Sequence, residues 1–246
     1  MAALYFAIKS KVNYYDCDQC DRLKLSGAMR YMQQASGEHL EFLGIPNREL
    51  LGKGIAFVLT KCNILIHRMP KAGEKIIIGT EPNRVSGVRF YREFRMDTDD
   101  DGEKLISAVT AWVLIDPQTR KILRPSAFTY EMPLVETIID HEVVEEAVPE
   151  SEYGEDGDPI AVDIRNSHID VIGHVNNSHY ADFACDALPR DELLSKELDM
   201  VTIAFRGEAK WGDQVVVTPK KLKSGEYLVS GRRGKLPCFD AYLRLK

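Results

Sequence analysis

The sequence predicts an α+β protein built from two copies of one strand–helix–strands unit, joined by an acidic linker. Three observations predict it. A segment with helical spacing is followed by four strand-like runs, which implies a helix set against an antiparallel sheet. The same order of elements returns in the second half. Between them, residues 140–158 hold nine acidic side chains and no Lys or Arg, so the net charge of −6 is local and the rest of the chain sums to +3.

The elements follow in order. MAALYFAIKS gives a first strand, because its apolar run is too short, and too soon followed by Lys9 and Lys11, to span a membrane. Leu25, Ala28, Met32, Ala35, Leu40 and Leu43 recur at helical steps and predict a helix over 26–43, with Gly44 as its stop. Strand-like runs cover 56–68, 74–82, 88–96 and 104–116, parted by turn signals at Lys71-Ala72-Gly73, Ser86-Gly87 and DTDDDGE. Residues 136–159, acidic with two prolines and late glycines, read as a linker between a unit at 1–135 and a unit at 160–246.

In the second unit a strand over 161–170 leads into a helix within 170–188. Tyr180, Phe183, Ala184, Ala187 and Leu188 share one helix face, and Pro189 ends the run. Four shorter strands fall within 199–211, 214–222, 226–233 and 236–246. Landmarks pair in register: Asp18 with Asp170, Arg22 with His174, Tyr31 with Phe183, Gly73-Glu74 with Gly212-Asp213, Ser86-Gly87 with Ser224-Gly225, and Ala111-Trp112 with Ala241-Tyr242. Several pairs in one order favour an internal duplication.

Composition bounds the function. With 246 residues, 44% of them hydrophobic and 28% charged, the chain is globular rather than disordered or fibrous. Five scattered cysteines, an odd number, predict free thiols in a reducing, cytoplasmic setting. No basic face with a recognisable module points to nucleic acid. Cys17-x-x-Cys20 lacks a second ligand pair, HEVVE at His141 lacks a second His, and there is neither a Gly-x-Ser-x-Gly nor a phosphate-cradling loop. The expectation is therefore no metal and no cofactor.

The chemistry concentrates in DVIGHVNNSHYADFACDAL, residues 170–188, where a carboxylate, an imidazole and two Asn precede an apolar helix. The first N–H groups of a helix lack internal acceptors, and the macrodipole favours negative charge there. Such a helix start can hold a developing oxyanion.

HVNN in this setting, with DRLKLSGAMRYMQQA and WVLIDPQTRKILRP in the first half and TIAFRGEAKWGDQV in the second, resembles the acyl-acyl carrier protein (acyl-ACP) thioesterases. That resemblance covers almost the whole chain and implies two tandem hotdog domains, each an antiparallel sheet wrapped around a long central helix. The family motif, Asp-x-Asn-x-His-Val-Asn-Asn with a downstream Glu, is matched by Asp170, His174, Val175, Asn176 and Asn177, with Glu208 as the downstream Glu. Ile172 stands where the family has its catalytic Asn, and an aliphatic group cannot hydrogen-bond water or a carbonyl. Asp-x-x-Gly-His-Val-Asn-Asn is also similar to single-hotdog acyl-CoA thioesterases, in which the Asp is catalytic.

The resemblance implies thioester hydrolysis: a fatty acyl thioester on an acidic acyl carrier protein is cleaved to a free fatty acid in fatty acid biosynthesis. Glu208 is the candidate general base, and His174 hydrogen-bonds the water or the carbonyl. Asp170 either holds the loop and imidazole or is itself the nucleophile. Backbone amides of Val175, Asn176 or Asn177 are the candidate oxyanion donors, on the order of 3 kcal/mol for a good one. In the first copy Arg22 and Met69 match His174 and Glu208 and cannot repeat base chemistry, so that half would house the acyl chain, with Met29, Met32, Phe57 and Leu59 as pocket candidates.

Arg84, Arg89, Arg92, Arg95, Lys220, Lys221, Lys223, Arg232 and Arg233 are candidates for meeting the carrier's acidic helix and phosphopantetheine phosphate. The alternatives are an acyl-CoA thioesterase and a non-catalytic acyl-binding protein in which Ile172 marks decay. With no membrane partner, the chain would work as a monomer or homodimer.

Overall fold

The computed structural model describes residues 6–135 and 152–246. Most of the predicted linker, 136–151, lies outside them. Its remainder is not all linker: Tyr153–Asp156 forms a strand, because its backbone finds an open edge at residues 220–222.

The first half runs β1 (Phe6–Lys11), α1 (Leu25–Phe42), a short α2 (Asn47–Gly52), β2 (Ala56–Ile66), β3 (Lys75–Ser86), β4 (Arg89–Thr98) and β5 (Lys104–Ile115). The second runs β6 (Tyr153–Asp156), β7 (Ile160–Asp163), α3 (Asn177–Asp186), a short α4 (Arg190–Ser195), β8 (Leu198–Phe205), β9 (Gln214–Leu222), β10 (Tyr227–Arg233) and β11 (Leu236–Leu245). The strand predicted over 161–170 stops at Asp163, and residues 166–168 form a 3-10 turn. Sequence reasoning left out α2 and α4, each a single short piece without a periodic run.

All the described strands join one antiparallel sheet, in which the first-half order β1-β3-β4-β5-β2 is repeated as β7-β9-β10-β11-β8. The halves meet where β2 pairs with β8, Lys61 with Ala204 through Leu65 with Met200. At this seam Ile64 and Val201 are fully buried partners.

α1 ends as its sequence predicts: Gly44 takes φ +72, and Ile45 N–H donates to Leu40 O. Leu25, Ala28, Met29, Met32 and Ala35 bury one stripe of α1 in a core shared with Tyr180, Phe183 and Ala184 of α3. α1 and α3 thus pack against each other across the same core that the sheet covers, which fixes the start of α3 in space.

Candidate active site

The loop before α3 is a tight turn bridged between Ile169 and Val175. Asp170 N–H donates to His174 O at 2.9 Å, and Gly173, at φ +85, supplies the left-handed residue that the turn needs. Asp170 Oδ1 accepts from Ile172 N–H at 3.0 Å and from His174 N–H at 3.5 Å, as turn-closing Asp side chains do. Asn176 Oδ1 then caps α3 by accepting from Ser178 N–H at 3.0 Å.

The three amides proposed as oxyanion donors separate here. Val175 N–H donates to Ala209 O and Asn176 N–H to His168 O, both at 2.9 Å, so these two are already engaged in holding the loop. Asn177 N–H has no protein acceptor among the described residues, which narrows the set to that amide.

Glu208 sits between β8 and β9 in a segment held from three sides. Arg206 and Gly207 N–H both donate to Cys238 O. A Cβ on Gly207 would lie 2.7 Å from Pro237 O, so the close approach requires glycine. Ala209 N–H donates to the buried Tyr180 hydroxyl at 3.1 Å, and that hydroxyl lies 3.5 Å from Gly207 O. The result brings Glu208 Oε2 to 3.0 Å from His174 Nε2.

A third side chain, which sequence reasoning missed, reaches the same point from the first half. Arg120 forms an ion pair through Nη2 with Glu208 Oε2, and Nη2 lies 3.3 Å from His174 Nε2. It stands on the turn after β5, where Asp116 Oδ1 accepts from Gln118 and Thr119 N–H and Arg120 N–H donates back to Asp116 O. Arg120 itself sits at φ +61, a region that non-glycine residues rarely occupy. The Asp-Pro turn signal was in the sequence, but not the site that its next turn would reach.

Burial lowers the pKa of His174, the positive charges of Arg120 and Lys210 lower it further, and Asp170 opposes them. The ring is therefore neutral near pH 7, and a proton on Nε2 is the tautomer that suits a carboxylate oxygen at 3.0 Å. Nδ1 is buried without a partner among the described residues.

These residues face a cavity of about 1100 Å³ that extends into the first half. Phe57 and Leu59 line it. Met29 and Met32 do not: they belong to the buried core stripe of α1, and the adjacent stripe of Gln33, Ser36, Gly37 and Leu40 faces the cavity. Ile172 also lines it, 56% exposed, and brings no hydrogen-bonding group.

The Asp170 turn has a counterpart in the first half, bond for bond. Asp18 N–H donates to Arg22 O, Asp18 Oδ1 accepts from Cys20 and Arg22 N–H, Leu23 N–H donates to Pro70 O, and Lys24 N–H donates to Asp16 O. Arg22 replaces the imidazole there, its guanidinium donating to Leu193 O and Lys196 O at the C-terminal end of α4, and buried Met69 precedes Pro70 where Glu208 precedes Ala209. Cys20 corresponds to Ile172, and both Cys17 and Cys20 are free.

Of the basic residues proposed for the carrier, Arg92 is 6% exposed and contacts His39 and Thr80, so it cannot meet a partner's surface. Arg95, Lys220, Lys221, Arg232 and Arg233 pair with Asp97, Asp156, Glu192, Asp240 and Asp213. Among the described residues no group of three or more His, Cys, Asp and Glu is placed to hold a metal.

Comparisons with known proteins identify the family and the fold. Residues 3–127 match the family model of the acyl-ACP thioesterase N-terminal domain, and residues 155–233 that of the C-terminal domain. The chloroplastic acyl-(acyl-carrier-protein) hydrolase FATB2 of Cuphea viscosissima is 22% identical over 215 residues, 83% of this chain and 52% of its own. The chain thus spans about half the length of the curated relatives it matches. An oleoyl thioesterase (putative) from Lactobacillus plantarum has a similar fold, with a TM-score of 0.86 at 24% identity over 100% of this chain and 97% of its own. An acyl-ACP thioesterase from Bacteroides thetaiotaomicron gives 0.83 at 20% identity, covering 98% of each. With both of the family's domain models matched in order along its length, the chain belongs to the acyl-ACP thioesterase family.

Proposed function

We propose that the protein hydrolyses fatty acyl-ACP to a free fatty acid and the carrier thiol, with the chemistry in the second half and the acyl chain in the first. The observation that carries this reading is the Glu208–His174 pair, 3.0 Å apart, facing a cavity whose walls in the first half include Phe57 and Leu59. Relatives named as an acyl-(acyl-carrier-protein) hydrolase and a palmitoyl-acyl carrier protein thioesterase support ACP as the carrier.

In this mechanism Glu208 takes a proton from a water that attacks the thioester carbonyl carbon, and Asn177 N–H donates to the resulting oxyanion. The C–S bond then breaks, and the thiolate, a good leaving group with an ordinary pKa near ~8.5, recovers a proton from Glu208. His174, its Nε2 turned to Glu208, orients the base. Asp170 holds the turn that presents both His174 and Asn177.

In the same reading, residues 1–135 and 160–246 are two tandem hotdog domains. The repeated strand order and the repeated Asp turn support that division. Its setting is the cytoplasm, in fatty acid biosynthesis, in keeping with five free cysteines. Among the described residues no helix is long and apolar enough to cross a membrane.

The test is thiol release from panels of acyl-ACP and acyl-CoA by wild type, Glu208→Ala and His174→Ala. The expected outcome is turnover of acyl-ACP that falls about 100- to 10,000-fold in Glu208→Ala. Preference for acyl-CoA would reassign the carrier, and turnover of no chain length would leave an acyl-binding protein.

A further inference from the structure

We propose that Arg120 is a positioning residue of this site, supplied by the first half to fix Glu208 and His174 in one arrangement. The inference rests on the hydrolase reading above and assigns a part that neither the Asp170–Asn177 loop nor Glu208 supplies.

Its basis is geometric. Arg120 Nη2 and His174 Nε2 converge on one oxygen of Glu208, Oε2. Oε1 has no protein partner among the described residues and is the oxygen through which Glu208 would take a proton from water. A carboxylate held through one oxygen by two donors cannot rotate freely, and such restraint is what a base needs to meet a water in a productive geometry. With its Nε2 proton turned to Glu208, His174 cannot also accept from Arg120, so the 3.3 Å approach of Nη2 to Nε2 is proximity set by their shared carboxylate oxygen rather than a further hydrogen bond.

The delivery of Arg120 supports a dedicated role. Its turn is closed by two N–H bonds to Asp116 Oδ1 and by Arg120 N–H to Asp116 O, and Arg120 accepts an unfavourable φ of +61 to reach across the seam. Ile115 and Pro117, on the same hairpin, line the cavity. The segment that carries Arg120 therefore also contacts the space assigned to the acyl chain.

The charge has a second effect. The ionisable groups facing His174 are Asp170 from its own loop, Lys210 and Glu208 from the segment after β8, and Arg120 from the first half. Removing Arg120 removes one of the two positive neighbours that hold the imidazole neutral, so its pKa rises, and Glu208 loses its cationic partner. The rise at His174 moves the acid limb of the pH–rate profile to higher pH.

The experiment compares wild type, Arg120→Ala and Arg120→Lys by acyl-ACP hydrolysis across pH, and by NMR titration of the His174 ring carbons. In Arg120→Ala the expected result is a kcat lower by about 10- to 100-fold with KM changed by less than about threefold. The acid limb and the His174 titration should both move up, and added guanidinium should restore part of kcat. Arg120→Lys should restore the titration midpoint but little of kcat, because an ammonium lacks the planar fork. An unchanged kcat and an unmoved His174 midpoint in Arg120→Ala would overturn the proposal. Absence of turnover by wild type would instead fail the hydrolase reading, and the His174 midpoint would still decide whether Arg120 acts on the ring.

Discussion

At the scale of single residues the site rests on a few side chains whose neighbours set their state. His174 is held neutral by burial, then by Arg120 and Lys210. Its pKa lies below the ordinary imidazole value of about 6.5, so the folded state resists its protonation more than the unfolded chain does. The sign follows: His174 opposes stability as pH falls through 6.5 and leaves it unaffected above. If neutral His174 is required, the acid limb of kcat/KM should have its midpoint below pH about 6.5; a midpoint above that would contradict the neutral ring. Ile172 is the other informative residue. Its exposed side chain lines the cavity beside Asp170 and His174, so Ile172→Asn adds a polar group without burying one. We expect a gain of up to about tenfold in kcat, worth about 1.4 kcal/mol, measured on the preferred acyl-ACP; a loss would show that the aliphatic group has its own part in binding.

Elements explain why those residues are in place. Periodicity made α1, α3 and the long strands legible, and the start of α3 was visible where two Asn precede its apolar run. Other features were not legible. Arg120 meets a site 54 positions further along the chain, and no local pattern announces such a contact. Met29 and Met32 are as apolar as a cavity wall, and only the rotation of α1 shows that they face the core. Tyr180 appeared as one more apolar position on α3, yet its hydroxyl holds the Gly207–Ala209 backbone on which Glu208 stands. Tyr180→Phe would leave Ala209 N–H buried and unpaired, at a cost of about 1–3 kcal/mol, read as a lower denaturation midpoint. Gly207→Ala, which brings a Cβ against Pro237 O, should lower kcat by shifting Glu208. Retention of full stability by Tyr180→Phe would remove Tyr180 from this account.

The whole molecule joins two similar halves through one sheet and one core. The duplication was visible in the sequence as paired landmarks, and the paired Asp18 and Asp170 turns share their hydrogen bonds. How the halves meet was not visible, because strand register is set by contacts between distant segments. Here β2 pairs with β8, and one core includes α1 and α3. Thermal unfolding should therefore follow a single transition, with calorimetric and van't Hoff enthalpies in agreement; two separable transitions would show that the seam is weak. The proposed division of labour is matched by position. The first half's own turn is occupied by Arg22 and faces a smaller cavity of about 440 Å³, while Phe57, Leu59 and Arg120 of that half line the larger one.

In the proposed mechanism Glu208 performs the chemical step. Single-turnover hydrolysis of a bound acyl-ACP by wild type and Glu208→Gln tests it most directly, since the amide keeps the shape but cannot take the proton. The variant should bind the substrate with a Kd within about threefold of wild type and cleave it at least about 100-fold more slowly. Cleavage by Glu208→Gln at the wild-type rate would contradict it and leave Asp170 as the carboxylate to test.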